Sequence, residues 1–130
     1  MTRFSERIEN FNKAFDIYKE AVNEFDTNKV LTHMALVQTY EICFELAWKC
    51  LKDYLKEKGI GANYPTDVIK EAFNKNTIQD GQLWIDMLTA RNSTSHEYNV
   101  EKVGKYLTEM TTTYFKEIEK FKIWLGEISE

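Results

Sequence analysis

Apolar residues recur every third or fourth position along almost the whole chain, and that period leaves few architectures open. Phe4, Ile8, Phe11, Phe15, Tyr18, Val22 and Phe25 form the first series. At 3.6 residues per turn they fall on one face of a long helix, with Arg7, Glu9, Lys13, Asp16, Lys19 and Glu20 mostly off it. Asp26-Thr27-Asn28 breaks the pattern and supplies capping side chains for the next helix. A second series runs through Leu31, Met34, Val37, Tyr40, Phe44, Ala47, Trp48, Leu51 and Leu55. It stops at Lys58-Gly59-Ile60-Gly61, where glycine suits a left-handed helix cap. Pro65-Thr66-Asp67 opens a short helix with Val68, Ile69, Ala72 and Phe73, because proline near a helix start loses no internal hydrogen bond. Asp80-Gly81 opens another, in which Leu83, Trp84, Met87, Leu88 and Arg91 share a broad face. Ser93-Thr94-Ser95 readily bond their own backbone, so this helix is expected to fray there. Asn99 then caps a last long helix striped by Val103, Tyr106, Leu107, Met110, Tyr114, Ile118, Phe121, Leu125 and Ile128.

With one Pro, five Gly and almost no strand-like alternation, the chain reads as all-α: an up-and-down four-helix bundle with one additional short helix. No linker or repeat interrupts its 130 residues, which are read as a single domain, 1–130. The aromatic stripes are core, with Trp48 and Trp84 held open as subunit-interface residues. Uncharged runs are too short to span a bilayer and no secretory signal is visible, which predicts no membrane partner and a cytoplasmic location. A net charge of −4 argues against broad nonspecific DNA binding, yet permits a small pocket for one or two phosphates. Cys43 and Cys50 lie seven apart on one helix, about 10 Å along its axis, too far for a disulfide; they read as buried reduced thiols. Two Cys and two distant His make a poor ligand set, so neither a metal nor a cofactor is expected. His33, among apolar neighbours, reads as a structural histidine, and Gly59-Ile60-Gly61 as a turn rather than a phosphate loop.

The chemistry concentrates in Arg91-Asn92-Ser93-Thr94-Ser95-His96-Glu97-Tyr98. Arginine offers a fixed fork for phosphate, histidine moves a proton near neutral pH, and tyrosine presents a hydroxyl. On an ideal helix a five-residue step turns about 140°, so Arg91 and His96 would not share a face. Convergence requires the chain to leave helical geometry between them, or a second copy to complete the site. Arg91 also reads as a helix C-terminal cation, His96 as a loop residue and Tyr98 as a packing residue beside the Asn99 cap.

The Arg91-Asn92 pair followed by His96 and Tyr98 resembles the signature of HEPN domains (higher eukaryotes and prokaryotes nucleotide-binding). Together with the helix order and the Phe44-Glu45-Leu46-Ala47-Trp48-Lys49 segment, the whole chain is similar to nucleotidyltransferase substrate-binding proteins. That resemblance implies a dimeric helical bundle whose two motifs face each other. It also implies a minimal nucleotidyltransferase encoded beside it, often as a toxin–antitoxin pair. Active members are metal-independent endoribonucleases. In this chain His96 would assist attack of a ribose 2′-hydroxyl on the adjacent phosphate of single-stranded RNA. Arg91 would stabilise charge on the phosphoryl oxygens, and Asn92 would hold the pair or contact phosphate. Products would carry 2′,3′-cyclic phosphate and 5′-hydroxyl ends. Tyr98 would be the residue to which the partner attaches AMP. The alternative implied by the same resemblance is a non-catalytic subunit that docks substrate or nucleotide for the transferase.

Overall fold

The computed structural model describes residues 2–95 and 100–129 and, at 100–102, the backbone alone. Six helices occur in chain order: α1 (Arg3–Glu24), α2 (Val30–Glu57), α3 (Pro65–Asn74), α4 (Gly81–Thr94), α5 (Val100–Thr111) and α6 (Thr113–Ile128). No strand occurs among the described residues, and no helix there is long and apolar enough to cross a membrane.

Local chemistry sets most of the boundaries. Thr2 caps α1 by accepting from the Ser5 amide, and Asp80 caps α4 by accepting from Leu83. Pro65 occupies the first turn of α3. Gly59 takes a φ of 82°, the left-handed conformation that lets the Ile60 amide reach back to the Leu55 carbonyl and end α2.

Two boundaries differ from the sequence expectation. Asp26-Thr27-Asn28 interrupts the helices, but the residue before α2 is Lys29, which makes no side-chain cap. Asp26 instead accepts from the Asn28 amide and closes the turn itself. The single last helix is divided at Thr112, where φ and ψ are −124° and −89°. Thr111 donates to the Thr108 and Leu107 carbonyls and Thr112 donates to Thr108, so hydroxyls compete with the helical ladder and bend the chain. Just before the break, the Met110 carbonyl accepts the buried Tyr18 hydroxyl from α1.

Contacts fix the topology. Phe4 meets Tyr54 and Phe25 meets His33, so α1 and α2 run antiparallel. Phe44 packs on Trp84 while Tyr40 donates to the Met87 carbonyl at 2.7 Å, which sets α4 antiparallel to α2. Phe11 meets Phe121 and Phe15 meets Phe115, which sends α6 back along α1. The result is an up-and-down bundle with α3 as the short extra helix. Buried residues from all six helices form one cluster. Trp84 and Trp48, held open as interface residues by the sequence, belong to it, at 0% and 7% exposure. Trp84 also donates its indole N–H to Glu117 at 2.9 Å, so its one polar atom is satisfied inside the fold.

The start of the second apolar series behaves differently: Leu31 and Met34 are exposed. The pairing of Thr94 with Glu41 places the end of α4 against the middle of α2. From Glu41 back to Val30, α2 extends roughly 15 Å beyond that point, and α4 does not follow it. Cys43 and Cys50 are free and buried, and His33 is half-buried, stacked on Phe25 and bonded to the Asp26 carbonyl at 3.0 Å.

Candidate functional site

Arg91 lies in the last turn of α4, where a cation is favoured by the helix dipole. Its side chain crosses to α2, with Nη2 3.3 Å from Glu45 Oε2. That oxygen also accepts the Trp48 indole N–H at 3.0 Å, and Glu45 Oε1 lies 3.3 Å from Lys49 Nζ. Burial alone would raise the Glu45 pKa, but the Trp48 hydrogen bond, the Arg91 charge and Lys49 outweigh it and hold the carboxyl below its usual range. Glu45 is therefore a carboxylate with a fixed direction, not a freely rotating surface acid.

One turn earlier on α2, Glu41 accepts the Thr94 hydroxyl at 2.9 Å. Its pKa is raised: burial dominates, opposed by the Thr94 bond and by Arg91. Thr94 also bonds the Ala90 carbonyl at 3.0 Å, and Ser95 bonds Asn92, the self-bonding expected of this segment. The expected fraying is not seen as far as Thr94: α4 remains helical to that residue, and Ser95, with φ −81° and ψ −17°, keeps right-handed helical dihedrals. The Tyr106 hydroxyl of α5 lies 3.4 Å from Ser93 Oγ and closes the other side.

Of the residues singled out by sequence, Arg91 and Asn92 are brought together. Asn92 is exposed, and its side-chain oxygen lies 3.4 Å from Arg91 Nη1, a long contact. Arg91 is about 30% exposed at its side chain; its Nε is buried without a hydrogen-bond partner among the described residues, and Glu45 holds Nη2. His96, Tyr98 and the cap at Asn99 lie outside the described residues. Glu41, Glu45, Trp48 and Thr94 are the residues that sequence reasoning did not assign to the site. Their signal was present: two acids four apart, each next to a core aromatic, Tyr40 or Phe44, on an otherwise apolar stripe.

Among the described residues no group of His, Cys, Asp and Glu is arranged to hold a metal. A surface cleft of about 390 Å³ between α6 and residues 76–79 shares no residue with the Arg91 cluster. At Arg91 the described residues present a guanidinium paired with a carboxylate on the neighbouring helix.

Comparisons with known proteins bear on the family and the fold. The sequence model of the family described as "nucleotidyltransferase substrate binding protein like" matches residues 6–126. A probable ribonuclease HepT from Haemophilus influenzae is 34% identical over 71 residues, which is 51% of this chain and 49% of that protein. The chain thus aligns with about half the length of that curated relative. A crystal structure from Thermus thermophilus superimposes with a TM-score of 0.80 at 26% identity, over 92% of this chain and 99% of the other.

Proposed function

Because the chain belongs to the nucleotidyltransferase substrate binding protein like family, of HEPN type, we propose that it is the helical partner of a minimal nucleotidyltransferase and cleaves single-stranded RNA without a metal. One observation carries this reading. Arg91 is held near the end of α4 by Glu45 with its side chain about 30% exposed, and α4 ends two residues before His96. For Arg91 and His96 to serve one phosphate, the chain must turn out of helical geometry beyond Ser95, whose φ of −81° and ψ of −17° are still right-handed helical, or a second copy must complete the site. The name of the Haemophilus relative, a probable ribonuclease, supports the same reading.

In the proposed reaction His96 accepts the proton of a ribose 2′-hydroxyl as its oxygen bonds to the adjacent phosphorus. The bond from phosphorus to the 5′ oxygen breaks, that oxygen takes a proton from water to leave as a 5′-hydroxyl, and protonated His96 returns its proton to the solvent. Arg91 neutralises charge on the non-bridging oxygens, which is where a fixed guanidinium contributes most. Asn92 supports Arg91 or the phosphate. Tyr98 is the proposed site at which the partner attaches AMP, placing a bulky anion near Arg91 and closing the site to RNA. The exposed apolar residues Leu31 and Ile42 share a face of α2 with Glu45 and Lys49, and this supports a homodimer that brings two sites together. A cytoplasmic location accompanies that partnership.

A second reading, a non-catalytic subunit that docks substrate or nucleotide, is favoured by the carboxylate at Arg91 and the net charge of −4, both of which weaken the pull on RNA. Purified protein, checked by mass for AMP on Tyr98, is incubated with mixed single-stranded RNA in EDTA beside Arg91→Ala and His96→Ala. Cleavage to cyclic-phosphate ends, lost in both variants, is the expected result. Intact RNA with unmodified wild-type protein gives the docking reading.

A further inference from the structure

We propose that Glu45 is the positioning residue of this site: it sets the direction in which Arg91 presents its guanidinium, and it is itself set by Trp48 and Lys49. The inference rests on the reading of Arg91 as a phosphate-binding group.

The geometry supports it in three steps. Arg91 has four rotatable bonds before its guanidinium, and its buried Nε makes no hydrogen bond to the described residues, so no bond at that nitrogen sets its direction. Glu45 Oε2, 3.3 Å from Nη2, lies on a different helix, and this contact fixes the far end of the side chain relative to the bundle rather than to α4. That oxygen is anchored by the indole of Trp48, which is 7% exposed, and the second oxygen by Lys49. The chain of contacts from core to Trp48 to Glu45 to Arg91 thus transmits the rigidity of the bundle to the guanidinium. Glu41 repeats the device one turn away by holding Thr94, the last residue of α4.

A carboxylate beside a phosphate-binding arginine also has an electrostatic cost, because it cancels part of the attraction for an anionic substrate in the ground state. Orientation and attraction therefore separate on mutation. Loss of the carboxylate should leave phosphate binding unchanged or tighter while the reaction slows, the pattern expected when alignment rather than affinity is removed.

The test uses Glu45→Gln, which keeps the size of the side chain and an oxygen for Trp48, and Glu45→Asp, which keeps the charge but draws it back by one methylene. Two readouts are taken on the full chain: the NMR signals of the Arg91 guanidinium, and kcat and KM for RNA cleavage in EDTA. The expected result is an ordered Arg91 signal in wild type that becomes motionally averaged in both variants. With it, kcat falls about tenfold or more and KM does not rise. An Arg91 signal unchanged in both variants overturns the proposal, and so does a Glu45→Asp enzyme that behaves as wild type. If Arg91 loses order in the variants but wild type cleaves no RNA, the positioning role stands and the ribonuclease reading falls. In that case inorganic phosphate, titrated against the same Arg91 signal, should bind the variants at least as tightly as wild type.

Discussion

Glu41 and Glu45 stand one turn apart on α2 and are shifted in opposite directions, because one is mainly desolvated and the other is surrounded by donors. Linkage gives the sign of each consequence. For Glu41 the folded pKa lies above the ordinary 4.5, so its favourable contribution is complete below that value and is lost as pH rises through the raised pKa. For Glu45 the folded pKa lies below 4.5, so its contribution is present above that value and is lost as pH falls through the lowered one. Thermal melts of wild type, Glu41→Gln and Glu45→Gln between about pH 4 and pH 7 check both. Wild type should lose ground to Glu41→Gln as pH rises across that range. Its advantage over Glu45→Gln should shrink as pH falls toward and below 4.5. A pH-independent difference for either variant would show that its carboxyl titrates alike in folded and unfolded chains.

Among the helices, ends with one dominant chemical signal were readable and those with competing signals were not. Asp80, Pro65 and Gly59 each act where the sequence places them, since a side-chain acceptor, a fixed φ and a missing Cβ leave one sensible use. Asp80→Ala removes the acceptor for the Leu83 amide and should cost about 1 kcal/mol, seen as a lower urea midpoint with an unchanged slope. The division at Thr112 was hidden because its apolar stripe continues through the break: Met110, Tyr114, Ile118 and Phe121 are all buried. Three consecutive threonines carried the signal, through hydroxyls that bond the preceding turn rather than through any change in period. Gly81 adds a constraint that spacing cannot show, since a Cβ there would lie 3.1 Å from the Phe73 ring.

For the molecule as a whole, the bundle was legible because every long stripe must bury against another, and four such stripes with short connections have one economical arrangement. The site was legible only in part. Arg91 and Asn92 stand out by residue type, whereas Glu41 and Glu45 resemble any solvated acids until α4 is laid across α2. The exposure of Leu31 and Met34 likewise follows from where α4 ends, a relation between elements that no single stripe contains. Packing of all six helices into one cluster also predicts how the thiols behave. Burial, with Asp53 adding and Arg7 opposing, pushes Cys50 up to about 12, and burial also drives Cys43 well above the usual thiol range. Both are fully enclosed, so iodoacetamide at about pH 8 should label neither in the folded chain and both together in denaturant. Labelling of one thiol before global unfolding would reveal a partial opening of α2. The anchoring of Glu45 by Trp48 has an optical consequence. The indole N–H shares its acceptor oxygen with Arg91, so any anion that draws the guanidinium away alters the electric field felt by that ring. An anion bound at Arg91 would thereby be readable in the protein's own fluorescence, without a label.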